Sequence, residues 1–364
     1  MAERADAGTM QTRIWLKGLF EDYYSGVTKL PHLDAVNQRE FGFGSFAKKI
    51  AIRHRAYKDE KELLAYLKKE APAHVNHSTA RYEFPGSEEM REKNRIGTDL
   101  IFDIDVGDLK LNHGHEKGWV CEECFVALKE EARKLVDFLT DDFGFSEKEL
   151  SVNFSGSRGY HVRIRNDKIL SLDEKARKEI CGYLSLETDL TDLIFERGGM
   201  IFGPKPDQHG LKGRIAKTVI QTIKASEMQN KELVASQIEK GNWGAFPKGY
   251  GIKRIMDYAK KAAVKIPVDS KVTTDLTHMI RMVDTIHGGS SLLAKTVSEK
   301  LDGFDPMKEC FVFGKDEISV DFTKETPQLT AKGETFGPFG KGRTKLPMFL
   351  AAYLGAKERC IFVK

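Results

Sequence analysis

The sequence predicts a mixed α/β fold, α+β in layout, interrupted by a mostly helical, basic insertion. Three observations predict it: an alternating strand at 100–106, an amphipathic helix at 123–143, and a helical, cation-rich stretch between extended segments at roughly 170–262. At 364 residues the chain is long for a single unit of ~150 residues. The expected division is 1–170 for the first part of a core, 171–262 for the insertion and 263–364 for the second part of the core.

Each element has its reason. Residues 15–24 read as a helix ending near Gly26, and 41–55 alternate loosely around glycines, as a hairpin does. Residues 60–70 place Leu63, Leu64 and Leu67 at helical spacing. In 123–143, Leu128, Ala132, Leu135 and Leu139 form one stripe. Residues 150–154 and 160–164 are short strands around a Ser/Gly/Arg turn. Helix is expected over 172–195, a Gly/Pro-rich passage over 198–213 and further helix to 263; 264–272 reads as extended. Strands near Phe311 and Val320, a Gly-rich loop at 333–342 and a helix from Leu346 complete the chain.

Composition narrows the function classes. With 40% hydrophobic and 31% charged residues, the chain has material for a core and is not a disordered polyelectrolyte. No apolar run nears the ~18 residues that span a bilayer, and the first ten residues are polar rather than signal-like, so membrane and secreted readings are set aside. Five cysteines, with only Cys121 and Cys124 close together, suit a reducing interior rather than a disulfide framework. The net charge is only +4, but 205–265 holds 13 Lys/Arg against 5 Asp/Glu, a local +8 that leaves −4 on the rest. That asymmetry suits a chain that holds polyanions and gathers carboxylates elsewhere, although a solvated helical face explains it equally well.

Three motifs carry chemistry. In 100–106, period-2 alternation sends Leu100, Phe102, Ile104 and Val106 to one face and Asp103 and Asp105 to the other. Asp is a poor strand former, and two side by side repel unless a divalent cation sits between them. Asp275, in Val272-Thr273-Thr274-Asp275, is the third carboxylate expected, at a strand-like end. Three such groups suit a two-metal site. The turn Ser155-Gly156-Ser157-Arg158-Gly159-Tyr160-His161 exposes backbone N–H groups and adds donors around an anion, and Arg281 and His287 form a second cationic group. There is no GxxxxGK[ST] segment, which argues against an NTPase motor. His113, His115, Cys121 and Cys124 have zinc-like spacing within a loop at 111–126; a redox C-x-x-C pair is the competing reading.

Taken in order and spacing, these residues resemble the catalytic (small) subunit of the archaeal/eukaryotic-type DNA primase over essentially the whole chain. Tyr23-Tyr24, then Arg39-Glu40-Phe41-Gly42-Phe43 and Arg53, resemble the family's N-terminal signature. Phe102-Asp103-Ile104-Asp105, the Cys/His loop, the S-G-x-R-G-x-H turn and the segment ending in Asp275 follow in the family's order. There are departures: His113 or His115 stands where the first zinc ligand is commonly Cys, and 282–286 lacks a Pro-x-Ser-like stretch.

The resemblance implies a primase-type catalytic core, with mixed sheets flanked by helices, a zinc-binding loop and the helical insertion. It implies de novo synthesis of short primers on single-stranded DNA for replication. Asp103, Asp105 and Asp275 would hold Mg²⁺ or Mn²⁺, and Ser155, Arg158, His161, Arg281 and His287 would hold the nucleotide triphosphate. Glu40 and Arg53 would help place the initiating nucleotides, with Lys295 as a looser contact, while the four Cys/His residues would hold structural Zn²⁺. Implied partners are a large, iron–sulfur-containing primase subunit in a heterodimer, NTPs or dNTPs, and a replicative polymerase and helicase. The implied setting is the cytoplasm of an archaeal-type cell, at the nucleoid. The alternatives are a stand-alone primase-polymerase for repair and, from another class, a non-catalytic zinc-containing nucleic-acid-binding protein.

Overall fold

The computed structural model describes residues 7–31, 33–109, 111, 116, 119–187, 192–298 and 301–363. Two four-stranded antiparallel sheets position the site. The first runs in the order Met279–Arg281, His74–Ser78, Phe41–Gly44, Ile52–Arg55. The second runs Lys295–Val297, Leu150–Phe154, Gly159–Ile164, Leu100–Asp105. Both draw an edge strand from late in the chain, so the two halves of the sequence close on one another.

Local chemistry explains the elements. Asp59 caps the helix Glu60–Glu70, accepting from the Glu62 N–H at 2.9 Å. The helix Glu122–Asp141 lays Leu128, Ala132, Leu135 and Leu139, all fully buried, against the second sheet. Burying each of these leucines contributes roughly 1.5–3 kcal/mol. On the sheet, Phe102, Ile104, Tyr160 and Val162 meet that helix, which turns Asp103, Asp105, His161 and Arg163 to the opposite face.

Between the sheets lies a charged network. Asp99 accepts from Arg39 at 2.8 Å and lies 2.9 Å from Nε of Arg163, all three being buried. Burial opposes the Asp99 charge, but the guanidinium groups of Arg39 and Arg163 outweigh it and hold the carboxyl below its usual range. Arg177 ties the next layer in, donating to the carbonyls of Thr98 (2.6 Å) and Asp99 (3.0 Å).

A third sheet, ordered Gly342–Pro347, Glu317–Phe322, Cys360–Phe362, packs on the first helix, Ala7–Gly26, where Trp15 stacks on Phe362 at 4.9 Å. The segment 186–263 builds a separate hydrophobic cluster around Trp243, whose indole N–H donates to the Pro204 carbonyl at 2.9 Å. No helix among the described residues is long and apolar enough to cross a membrane.

The structure corrects three expectations. Helix over 172–195 is confined to Glu174–Leu184; Leu186 then takes a left-handed φ of 56°, and Phe195–Arg197 pairs with Met200–Phe202 as a hairpin. Gly198 and Gly199, at φ 60° and 73°, supply the two left-handed residues such a two-residue turn requires. Residues 264–272 are not a strand. The backbone is irregular to Asp269 and then forms the helical turn Ser270–Thr274, because Asp269 caps the Lys271 N–H at 2.9 Å and Thr273 Oγ1 donates to the Ile101 carbonyl at 2.9 Å. The C-terminal helix begins at Met348, after a strand through Pro347.

Candidate active site

Strand register brings the carboxylates and the anion-binding turn together. Asp103 is paired directly with His161, and Asp105 with Gly159. Across that register His161 Nε2 lies 3.4 Å from Asp103 Oδ1, and Arg158 Nε donates to Asp105 Oδ2 at 3.0 Å. The Gly107 N–H also donates to Asp105, at 2.7 Å.

The turn is built on its own hydrogen bonds. Ser155 Oγ accepts from the N–H groups of Ser157 (3.4 Å) and Gly159 (3.1 Å). Gly156 is left-handed at φ 78°, and a Cβ there would lie 3.1 Å from that of His287. Only glycine allows the turn to sit this close to the His287 loop. Ser290 Oγ seals the contact by donating to the Gly156 carbonyl.

A neutral-imidazole shell surrounds one buried guanidinium. Arg281 donates to Nδ1 of His74, and the His74 and His287 rings meet edge to face at 4.9 Å. Burial first, then the Arg281 charge, pushes His74 and His161 down to about 3 and His287 well below its ordinary value. These rings therefore act at neutral pH as hydrogen-bonding groups, while Arg281 and the exposed Lys49 supply charge.

Asp103 is pushed the other way, up to about 7, by burial and then by Asp105, Asp269 and Asp108. The structure places a different carboxylate from Asp275 beside Asp103. Asp269, whose N–H donates to the Asp103 carbonyl at 3.0 Å, joins the acidic cluster, and Asp275 does not. Asp275 lies one helical turn further on, where its carboxylate accepts from the N–H and hydroxyl of Thr277, both at 2.8 Å. Its charge is felt at Tyr82, beside Glu40 and Arg53. The extended reading of 264–272 hid this: once the segment coils at Ser270, Asp269 and Asp275 separate. Asp269, Lys49 and His74 are the groups the motif reading missed; the Asp-before-Ser signature of a helix cap was the available signal for Asp269.

Glu40 and Arg53 form a buried-to-surface pair. Glu40 is fully buried and accepts from Arg53 Nε at 2.9 Å and from the His54 N–H at 3.2 Å, with Lys93 Nζ 3.6 Å away. Its carboxylate is turned to these groups and holds Arg53 in place. Lys295 is paired with Glu309 at 2.7 Å.

The acidic donor set suits a hard divalent cation, because ions between the carboxylates would relieve the repulsion that lifts Asp103. Among the described residues, no three His, Cys, Asp or Glu side chains already enclose a metal position. Cys121 and Cys124 stand with sulfurs 3.6 Å apart at the start of the Glu122–Asp141 helix, while His113 and His115 lie outside the described residues.

The family model for the DNA primase small subunit matches residues 102–299, from the aspartate strand through the His287 loop. The DNA primase small subunit PriS of Methanothrix thermoacetophila is 33% identical over 95% of this chain and 98% of its own length. The chain belongs to the DNA primase small-subunit family. The counterpart in Thermoplasma volcanium is 32% identical over 96% of this chain and 97% of its own length, and that of Natronomonas pharaonis 30% over 95% and 97%. A solved polymerase domain of Mycobacterium tuberculosis Ligase D, in complex with DNA, aligns with 84% of this chain and 90% of its own at 14% identity, with a TM-score of 0.39. As a primase small subunit the chain is a nucleotidyltransferase that makes primers on DNA.

Proposed function

We propose that this primase small subunit works by two-metal nucleotidyl transfer, with Asp103, Asp105 and Asp269 holding Mg²⁺ or Mn²⁺. The observation that carries the reading is the Asp103–His161 and Asp105–Arg158 pairing across adjacent strands, which joins carboxylates and anion-binding turn edge to edge. When bound, the ions would activate the attacking 3′-hydroxyl and stabilise the departing pyrophosphate. The protein's own groups orient the substrate. Ser155 holds the turn open, Arg158 and Arg281 neutralise the triphosphate, and the neutral His161 and His287 donate or accept without adding charge. Arg53, partly exposed and aimed by Glu40, would meet an initiating nucleotide.

The large subunit, single-stranded template and NTPs or dNTPs are the partners this reading requires, with the cytoplasm as its setting. A structural Zn²⁺ would use Cys121 and Cys124, completed from His113 and His115. The test is synthesis on unprimed single-stranded DNA with Mg²⁺ or Mn²⁺, comparing wild type with Asp103→Ala, with and without a large subunit. Primers from the wild type alone, increased by the partner, support the proposal. Primers from Asp103→Ala at the wild-type rate would sink it.

A further inference from the structure

We infer that the exposed face of the helix Ile252–Ala262 is a docking surface for the phosphate backbone of the single-stranded DNA template, an inference that rests on the family's activity on DNA and not on the metal assignment above. The helix divides into two faces. Ile255 and Ala259 are fully buried, and Ile252, Met256, Tyr258 and Ala262 pack against the same cluster around Trp243. At about 100° per residue, Lys253, Arg254, Asp257, Lys260 and Lys261 all fall on the opposite stripe, and all five are exposed. Four cations thus face water around one carboxylate. Arg254 donates to the Gly249 carbonyl at 3.3 Å and lies over the Tyr250 ring at 4.9 Å, which fixes its guanidinium on this face. Among the described residues none of the four cations forms an ion pair.

Two observations separate this face from a merely solvated one. The first is its charge order along the helix. Acids suit the amide end of a helix and cations the carbonyl end. The helix Glu60–Glu70 obeys this, with Glu60 and Glu62 in its first turn and Lys68 and Lys69 in its last. Ile252–Ala262 has no acid in its first turn and places Lys253 and Arg254 there, against the dipole, as well as Lys260 and Lys261 at the far end. Such a stripe is destabilising until an anion meets it along its whole length. The second observation is its position. Beyond the helix, the buried Ile266 is anchored by its N–H to the Leu184 carbonyl at 2.9 Å, and Asp269 then donates to the Asp103 carbonyl at 3.0 Å. Chain length alone keeps the exposed Lys265 within about 14 Å of Asp269, and Lys261 within about 29 Å. The helix is about 16 Å long, which matches about five phosphates of a strand at ~3.4 Å spacing. A template leaving the acidic cluster reaches this face within about eight nucleotides on the same scale. Strand phosphates are the evenly spaced polyanion that an enzyme making primers on DNA always has beside it.

Combining Lys253→Gln, Arg254→Gln, Lys260→Gln and Lys261→Gln removes the charge and keeps helix-forming side chains; Lys253→Arg, Lys260→Arg and Lys261→Arg together keep the charge. In the full-length chain, alone and with its large subunit, binding of oligo-dT is read by fluorescence anisotropy across a salt series, together with KM for template and for NTPs. Four lost phosphate contacts should lower the slope of log K against log salt by about 2–3 and weaken binding about tenfold or more. KM for template should rise to match, while KM for NTPs, kcat at saturating template and the melting temperature stay near wild type. The arginine variant should bind as wild type does. Wild-type affinity and slope in the glutamine variant overturn the inference. Intact DNA binding with loss of the large subunit makes the face a protein interface and also overturns it. Weaker binding with an unchanged slope and a lowered melting temperature assigns these residues to folding, which overturns it too.

Discussion

Asp103 Oδ1 lies 3.4 Å from Nε2 of His161, its register partner on the neighbouring strand, and the pair is arranged to be neutral without a cation. Burial, then the neighbouring carboxylates, lift the acid to about 7, while burial and Arg281 depress the imidazole to about 3. A metal ion must therefore displace a proton from Asp103 near neutrality. The apparent affinity for Mn²⁺ should rise with pH up to about 7 and then level off, with proton release seen by calorimetry in two buffers of different ionisation heat. Asp103→Asn should abolish that release, and a flat pH dependence in the wild type would count against the assignment.

Asp269 and Asp275 make a paired test. Removing a group that stabilises developing charge costs about 10²–10³ in rate. Asp269→Asn is expected to lose at least about a hundredfold in primer synthesis on that scale. Asp275→Asn, whose partners are Thr277 and His278, should stay within a fewfold of wild type. The reverse ranking would return the metal role to Asp275.

Acid should unfold the metal-free protein. His74, His77 and His161 hold folded-state values of about 3, from 6.5, so the unfolded chain binds more protons between those limits. Their contribution is complete above about pH 6.5 and is lost as pH falls toward 3. Asp103 acts oppositely: raised to about 7 from 3.8, it favours the folded state at low pH and loses that effect as pH rises through this window. Three imidazoles outweigh one carboxyl, so melting followed by circular dichroism should fall on acidification. His77→Gln should make the fall shallower, since His77 is not among the groups that act on Asp103 and its ring bonds the Ser78 carbonyl.

Glu40 should prove a stability residue as much as an initiation one. Glu40→Ala removes the carboxylate facing the fully buried Lys93 and leaves an uncompensated charge inside the fold. The expected loss is about 3–5 kcal/mol, read from denaturant midpoints. A loss below about 1 kcal/mol, the range of surface pairs, would mean that Lys93 finds another partner.

The sequence by itself determined what is local or periodic. Alternation at 100–106 set Asp103 and Asp105 on one face, since a strand can turn Phe102 and Ile104 inward only by turning the aspartates outward. The hairpin at 41–55, the helix at 60–70 and the leucine stripe of the Glu122–Asp141 helix were legible for the same reason. The order and spacing of the motifs carried the family.

Tertiary structure decided which distant groups meet. Val272 and the threonines beside it suggest extension, but the Asp269 cap and the Thr273 bond to Ile101 outweigh their β propensity and coil the segment, exchanging Asp275 for Asp269. The His74–Arg281 contact and the burial that neutralises His161 arise from strands more than a hundred residues apart coming together. Their energies depend on desolvation, which exists only once both sheets have closed around the site.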